Sequence, residues 1–318
     1  MFTIGVDLGG TNIAVGIVNE KYEIVKKASC PTQAERDPVF IVDDIAKLII
    51  GLCQEAGIEQ KEIASVGIAA PGSVDPLSGV VKYANNLPFR DFPICGLLKE
   101  RIECQNIHLE NDANAAAWGE AVAGAAKGTA HSVMITLGTG VGGGVVIDHK
   151  LYSGFNYAGA ELGHMVICEG GRQCTCGRKG CFEAYASATA LIQMTKEKMA
   201  ACEKEGRATL LTKVAAEQGR VSGRTAFMAA KAGDIAAEEV ITEYCGYLAC
   251  GLTNLINIFQ PEVLSIGGGI SNEGDSLVNR LMDKIVAERY GGSTVKPTEI
   301  RIAKLKNDAG IIGGALLK

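Results

Sequence analysis

Three cysteines crowd the segment GRQCTCGRKGCFE, residues 171–183, at Cys174, Cys176 and Cys181, and His164 stands a short way upstream in AGAELGH. Four nitrogen and sulfur donors with no open position describe a structural zinc site. The CxC–x4–C spacing is unusual for a zinc finger, so the loop reads either as a metal loop or as reduced thiols, and His164 as a fourth ligand favours metal. A second group lies in ENDANAAA, which places Glu110, Asn111 and Asp112 where a strand runs into a helix. Asp112 is there either the helix N-cap or a general base that takes a proton as a substrate hydroxyl attacks phosphorus. Asn111 beside it would bind neighbouring hydroxyls. Glu161 in AGAELGH and Glu183 in CFEAY add carboxylates suited to sugar hydroxyls, which donate hydrogen bonds to them.

Glycine loops form a third group. DLGGTN gives an acid, two glycines, a hydroxyl and an amide at Asp7, Gly9, Gly10, Thr11 and Asn12. Glycine lets backbone N–H groups approach a phosphate closely, and Asp7 could hold Mg²⁺. LGTGVGGG repeats the arrangement at Gly138, Thr139 and Gly140, and Gly267, Gly268 and Gly269 end a later strand where a nucleoside could lie against the backbone. A single such loop is often a tight hairpin without a ligand; three of them, two echoing each other, point to a nucleotide. No GxxxxGK[ST] is present, and GTGVGG does not open a helix as a dinucleotide fingerprint would. A two-carboxylate glycosidase is the competing chemistry, and it leaves all three loops without a role.

The elements that must position these groups read as follows. Residues 2–8 form an apolar strand, NIAVGIVN and YEIVKKASC two more, and residues 38–56 a helix ended by Gly57. SVGIAAPG and NIHLEND are strands, and residues 113–123 an alanine-rich helix. LGGTNIAVGIVN from Leu8 and LGTGVGGGVVID from Leu137 are both strand, Gly/Thr turn, strand, which suggests a duplicated fold. After the cysteine loop the chain is mostly helical to about residue 260, with the strongest helix from Ile235 to Phe259. EVLSIGGGI and EIRIAKL follow as strands, and AGIIGGALL as a closing helix.

The chain has 318 residues, 47% of them hydrophobic and 21% charged, which predicts two domains or one large duplicated one. A net charge of −5 without a basic stripe argues against nucleic acid and anionic membrane as partners. Asp7 interrupts the first apolar run and no stretch is long enough to span a bilayer, so a cytoplasmic protein is expected. Eleven cysteines, an odd number, argue against a complete disulfide set, and Cys53, Cys245 and Cys250 read as small core residues.

DLGGTN, APGSVD, ENDANAA, LGTGVGGGV, GAELGH and CTCGRKGCFE occur in the order seen in the ROK (repressor, open reading frame, kinase) family, which the sequence resembles over essentially its whole length. The resemblance implies a ribonuclease H-like, actin-type ATPase fold, α/β, with two duplicated α/β domains, an interdomain cleft and a zinc-bound loop. It places residues 1–112 in the first domain, with a C-terminal helix at about 305–318 returning to it, and 113–304 in a larger second domain. Family members are sugar kinases or sugar-responsive repressors with an added N-terminal helix-turn-helix domain. A nucleotide loop beginning at Asp7 leaves no room for that domain, so the kinase branch is expected, and DLGGTN resembles its glucokinases. Asp112 then matches the catalytic base, and Asn111, Glu161, His164 and Glu183 match sugar ligands. Asn86 matches an asparagine that faces the sugar, while His164, Cys174, Cys176 and Cys181 match the zinc ligands. Phe89 stands where most relatives have Trp, which would alter one wall of the pocket. The expected reaction moves the γ-phosphoryl of Mg·ATP to the 6-hydroxyl of glucose, in a homo-oligomer (dimer or tetramer). The alternatives are an N-acetylmannosamine, N-acetylglucosamine or other hexose kinase, or a non-catalytic sugar sensor. The metal would clamp His164 and Glu183. With the glycine loops read as distant, its loss should weaken sugar binding and spare ATP.

Overall fold

The computed structural model describes residues 1–318 throughout. Strands β1 (Phe2–Leu8), β2 (Asn12–Val18) and β3 (Ile24–Pro31) run antiparallel, because two short turns, one through Gly9 and Gly10 and one through residues 19–23, return the chain on itself. The alternating half-exposed pattern of β3 and its terminal Pro31 suit an edge strand. Helix α1 (Pro38–Ala56) follows, with the Asp37 carboxylate capping Val39 N–H, Pro38 in the first turn and Gly57 closing it at φ 66°. It carries the chain to β4 (Ile63–Ala70), parallel to β1. Three short strands, β5 (Ser73–Asp75), β6 (Val80–Tyr83) and β7 (Arg90–Phe92), form a small separate sheet, and α2 (Ile94–Lys99) leads to β8 (Ile107–Asn111). β8 pairs parallel with β4 and abuts α3 (Asp112–Val122).

The pattern then repeats. β9 (Ser132–Leu137), β10 (Val141–Ile147) and β11 (Lys150–Tyr152) are followed by the helices α4 (Glu183–Ala186), α5 (Ala188–Lys204), α6 (Leu210–Glu217), α7 (Thr225–Lys231) and α8 (Ile235–Phe259). β12 (Val263–Gly267) pairs parallel with β9, α9 (Asp275–Glu288) crosses back, and β13 (Glu299–Ile302) pairs parallel with β12. The two five-stranded sheets have the orders β3-β2-β1-β4-β8 and β11-β10-β9-β12-β13. Each therefore has its third, second, first, fourth and fifth strands in line. The echo between residues 8–19 and 137–148 marks a true duplication, the arrangement of ribonuclease H-like, actin-type folds.

The chain divides into two compact units, Met1–Ala130 with Gly144–Ala160 and Lys304–Lys318, and His131–Gly143 with Glu161–Ala303. The sequence boundary at residue 112 placed α3 in the second domain, whereas contacts group it with the first unit. The closing helix α10 (Ala309–Ala315) also belongs to the first unit and lies on β1, β4 and α3 at backbone distance. A Cβ on Gly5 would stand 1.7 Å from Ile311 O, and one on Gly67 1.8 Å from Gly314 O. Trp118 Nε1 donates to Leu316 O at 3.2 Å and ties the end of the chain to α3. The first unit's core is an aliphatic cluster running from Ile4 and Val6 through α1 to Leu98 and Leu109.

Candidate active site

In the first unit the end of β1, the start of α3 and the loop at residues 9–11 hold the candidate groups. The N-cap of α3 is Asn111, whose Oδ1 accepts from Ala113 N at 2.9 Å and Asn114 N at 3.1 Å. Its Nδ2 donates to Gly72 O at 3.0 Å. Asp112 is the first helical residue, so the capping alternative for Asp112 is corrected. Burial raises the Asp112 carboxyl above its ordinary range, opposed by the Ala113 N–H that Oδ1 accepts at 2.8 Å. Burial also pushes Asp7 up to about 6, and the nearby Asp112 charge adds to it. Two carboxyls thus share one poorly solvated place, where each disfavours the other's ionised form.

Glu110, 6% exposed, supports this corner. Its Oε1 accepts from Asn111 N at 2.9 Å and Asn114 Nδ2 at 3.1 Å, and its Oε2 from Ser153 Oγ at 3.1 Å. The loop at residues 9–11 closes through Gly9 N donating to Asn12 O at 2.9 Å, and Thr11 and Asn12 are exposed on it. Thr32, fully buried, clasps it from β3's end: its hydroxyl donates to Gly9 O at 2.7 Å and its N–H to Thr11 O at 2.9 Å. Asn86 is exposed and packed on this loop, since a Cβ on Gly10 would lie 2.9 Å from Asn86 Cβ. Phe89 does not line an opening. It is 1% exposed and stacks on Phe92 with centroids 4.7 Å apart.

In the second unit the loop at residues 138–140, the triple glycine and the cysteine loop come together. Gly268 adopts φ 80°, and a Cβ there would stand 2.5 Å from Leu137 N and O, so only glycine lets residues 267–269 cross the end of β9. Gly163 makes a similar approach, with a would-be Cβ 2.1 Å from Val141 O, and tucks the turn Leu162–His164 against β10. Glu161 is exposed just before that turn. The donor atoms of His164, Cys174, Cys176 and Cys181 all lie within 4.8 Å of one another. Cys174 Sγ is 3.7 Å from His164 Nδ1, and Cys176 Sγ is 3.6 Å from Cys181 Sγ. Zinc–sulfur bonds of about 2.3 Å in tetrahedral geometry need donor separations of this size, so the four fit zinc. Nδ1 is the nitrogen turned to the sulfurs, which leaves His164 Nε2 for another partner.

Glu183 opens α4 and was expected among the sugar ligands. Its Oε2 accepts from Val141 N at 2.9 Å, and its Oε1 lies 3.3 Å from Thr175 Oγ1 and 3.7 Å from Cys174 Sγ. The loop at residues 138–140 is therefore adjacent to the cysteine loop, which corrects the expectation that the glycine loops are distant from it. Thr32 and Ser153 are the supporting residues that sequence reasoning missed, and Glu110 was grouped with Asn111 and Asp112 without a role. Thr32 and Ser153 act through contacts across many residues of chain and leave no local pattern.

The sequence profile of the ROK family matches residues 3–318. The chain belongs to the ROK family. A glucokinase of Thermotoga maritima is 38% identical over 313 residues, 98% of this chain and 95% of that protein. Among solved structures, a ROK family glucokinase from Streptomyces griseus in complex with glucose and AMPPNP superposes with a TM-score of 0.81 at 34% identity, covering 99% of this chain and 98% of that one. A ROK hexokinase from Thermus thermophilus gives 0.80 at 32% identity over 99% and 97%. No helix of this ROK protein is long and apolar enough to cross a membrane.

Proposed function

We propose that this chain is an ATP-dependent glucokinase that moves the γ-phosphoryl group of ATP to the 6-hydroxyl of glucose. The observation that carries the reading is Asp112, a half-buried carboxyl with a raised pKa, relieved of capping by Asn111 and placed beside the Asp7 loop. In its ionised form it takes the proton from the attacking hydroxyl. The remaining work is positioning and charge stabilisation, as in phosphoryl transfer generally. Residues 9–12, 138–140 and 267–269 offer backbone N–H groups, with the Thr11 and Thr139 hydroxyls, to ATP. Asn86, Glu161 and His164 Nε2 are the groups assigned to sugar hydroxyls, with Asn111 and Glu183 adding the hydrogen-bonding capacity that their own contacts in the protein leave over. Family membership and the glucokinase relatives, one of them holding glucose and an ATP analogue, support the assignment.

Mg²⁺ fits beside Asp7, whose ionised form is disfavoured by burial and by Asp112 and would gain from a cation; it would supply charge neutralisation for the transferring phosphoryl group. Zinc fits His164, Cys174, Cys176 and Cys181, where it would lock the loop that orients His164 and Glu183. The use of ATP supports the cytoplasm as the compartment we propose for it. The test is ADP release with Mg·ATP across glucose, mannose, fructose, allose and the N-acetylated hexosamines. Glucose should be preferred. No stimulation by any of them would reject the kinase reading in favour of a sugar sensor, and preference for an N-acetylated sugar would reassign the substrate.

A further inference from the structure

Both oxygens of the Glu183 carboxylate are engaged within the protein, and they face two different loops. Oε2 accepts the Val141 N–H at 2.9 Å, the first peptide after the loop at residues 138–140. A Cβ on Gly140 would stand 2.2 Å from that same oxygen, so the carboxylate fits there only because residue 140 is glycine. Oε1 lies against Thr175 Oγ1 at 3.3 Å and Cys174 Sγ at 3.7 Å, one of them a metal-site donor and the other set between two such donors. The segment that follows adds two more anchors on the same loop. Ala188 N donates to Gly138 O at 2.8 Å, and Thr189 Oγ1 donates to Thr139 O at 2.8 Å. The lower end of this segment is fixed by Cys181, fully buried, and by Phe182, whose ring fills the place a Cβ on Gly251 would take, 2.2 Å from Cε2.

We propose that Glu183 is a positioning residue for nucleotide binding: it transmits the order of the metal-held cysteine loop to the backbone of residues 138–140. The inference rests on the kinase reading. A charge-assisted hydrogen bond fixes the direction of the 140–141 peptide, and with it the direction of the loop's own N–H groups. The other end of the same carboxylate is held by Thr175 Oγ1, and so only if the cysteine loop is held, since a metal-bound Cys174 is a thiolate and donates nothing to it. Metal on His164, Cys174, Cys176 and Cys181 therefore acts on the ATP loop as well as on the sugar side.

The test is a binding experiment, independent of turnover. The zinc-loaded protein, Glu183→Ala and Glu183→Gln are titrated with a non-hydrolysable ATP analogue and Mg²⁺ without sugar, each before and after zinc removal by chelation, with zinc content measured by elemental analysis. Glu183→Ala should retain zinc, because Glu183 is no ligand, and should bind the analogue about tenfold more weakly. Glu183→Gln keeps an acceptor for Val141 N–H and should stay within about threefold of wild type. Zinc removal should weaken the wild type as much as Glu183→Ala does and add little to that variant, because the two act in one chain of contacts. Unchanged analogue affinity in Glu183→Ala, or a full additional loss when zinc is stripped from it, would overturn the proposal. A wild type that binds no analogue at all would overturn the kinase reading beneath it.

Discussion

At the scale of single residues, the proposed chemistry turns on two carboxyls whose environment opposes their charge. Asp112→Asn keeps size and most hydrogen bonding but removes the base, so kcat should fall by about 10²–10⁴ while glucose still binds. A variant keeping more than roughly a tenth of wild-type kcat would return Asp112 to a purely structural role. The pH dependence has a definite sign. Asp112 must be ionised to accept a proton, and burial raises its pKa, while Asp7 beside it stands at about 6. The kcat/KM profile should therefore lose activity on acidification from a pH above the ordinary carboxylate range, and an acid limb near 4 would contradict the pairing. Asp7 also has a stability signature. Its folded pKa is raised, so its contribution is favourable below the unfolded value near 4 and is lost as pH rises through about 6. Asp7→Asn should melt at a higher temperature than wild type at pH 7.5, and at the same temperature at pH 4. Sequence alone left Asp112 open between cap and base, because the readings differ by one residue in where α3 begins. The side chain of Asn111 takes the cap, and the base role of Asp112 is the proposal made above.

At the scale of elements, loops that look self-sufficient in sequence are held by distant residues. DLGGTN and LGTGVGGG were legible because glycine, hydroxyl and acid lie together in a few positions. The clasp on the first, Thr32, was not, since a threonine at a strand end has many possible uses. Thr32→Val leaves Gly9 O without its 2.7 Å hydroxyl donor in a buried place. That costs on the order of 1–3 kcal/mol, and KM for ATP should rise about tenfold, with Thr32→Ser restoring it. Equal KM in Thr32→Val would show that the loop orders itself. The sheet β5-β6-β7 also escaped sequence reasoning, because strands of three or four residues are too short to establish a period.

At the scale of the whole molecule, duplication was readable from two short echoes, since a glycine turn between apolar strands is a local feature. The return of AGIIGGALL to the first unit came from family resemblance alone, and its physical basis is glycine at three facing surfaces. A Cβ on Gly313 would stand 1.8 Å from Ala115 O, matching the approaches at Gly5 and Gly67. Gly67→Ala should lower unfolding free energy by roughly 3 kcal/mol or more in urea titration, and an unchanged midpoint would mean that α10 can move aside. Metal should have the opposite, local reach. One zinc per chain is expected by elemental analysis, and its removal should leave far-UV circular dichroism nearly intact, because the segment between His164 and Glu183, which carries the three cysteine donors, holds no helix or strand of the fold. We propose that the protein phosphorylates glucose with Asp112 as base. The most direct measurement follows ADP and sugar product together after mixing with Mg·ATP and glucose, with the phosphorylated position read by ³¹P and ¹³C NMR, for wild type and Asp112→Asn. The account predicts one glucose 6-phosphate per ADP from wild type and at least about a hundredfold slower formation from the variant, which still binds glucose. ADP release without phosphorylated glucose, or equal rates in the two proteins, would contradict it.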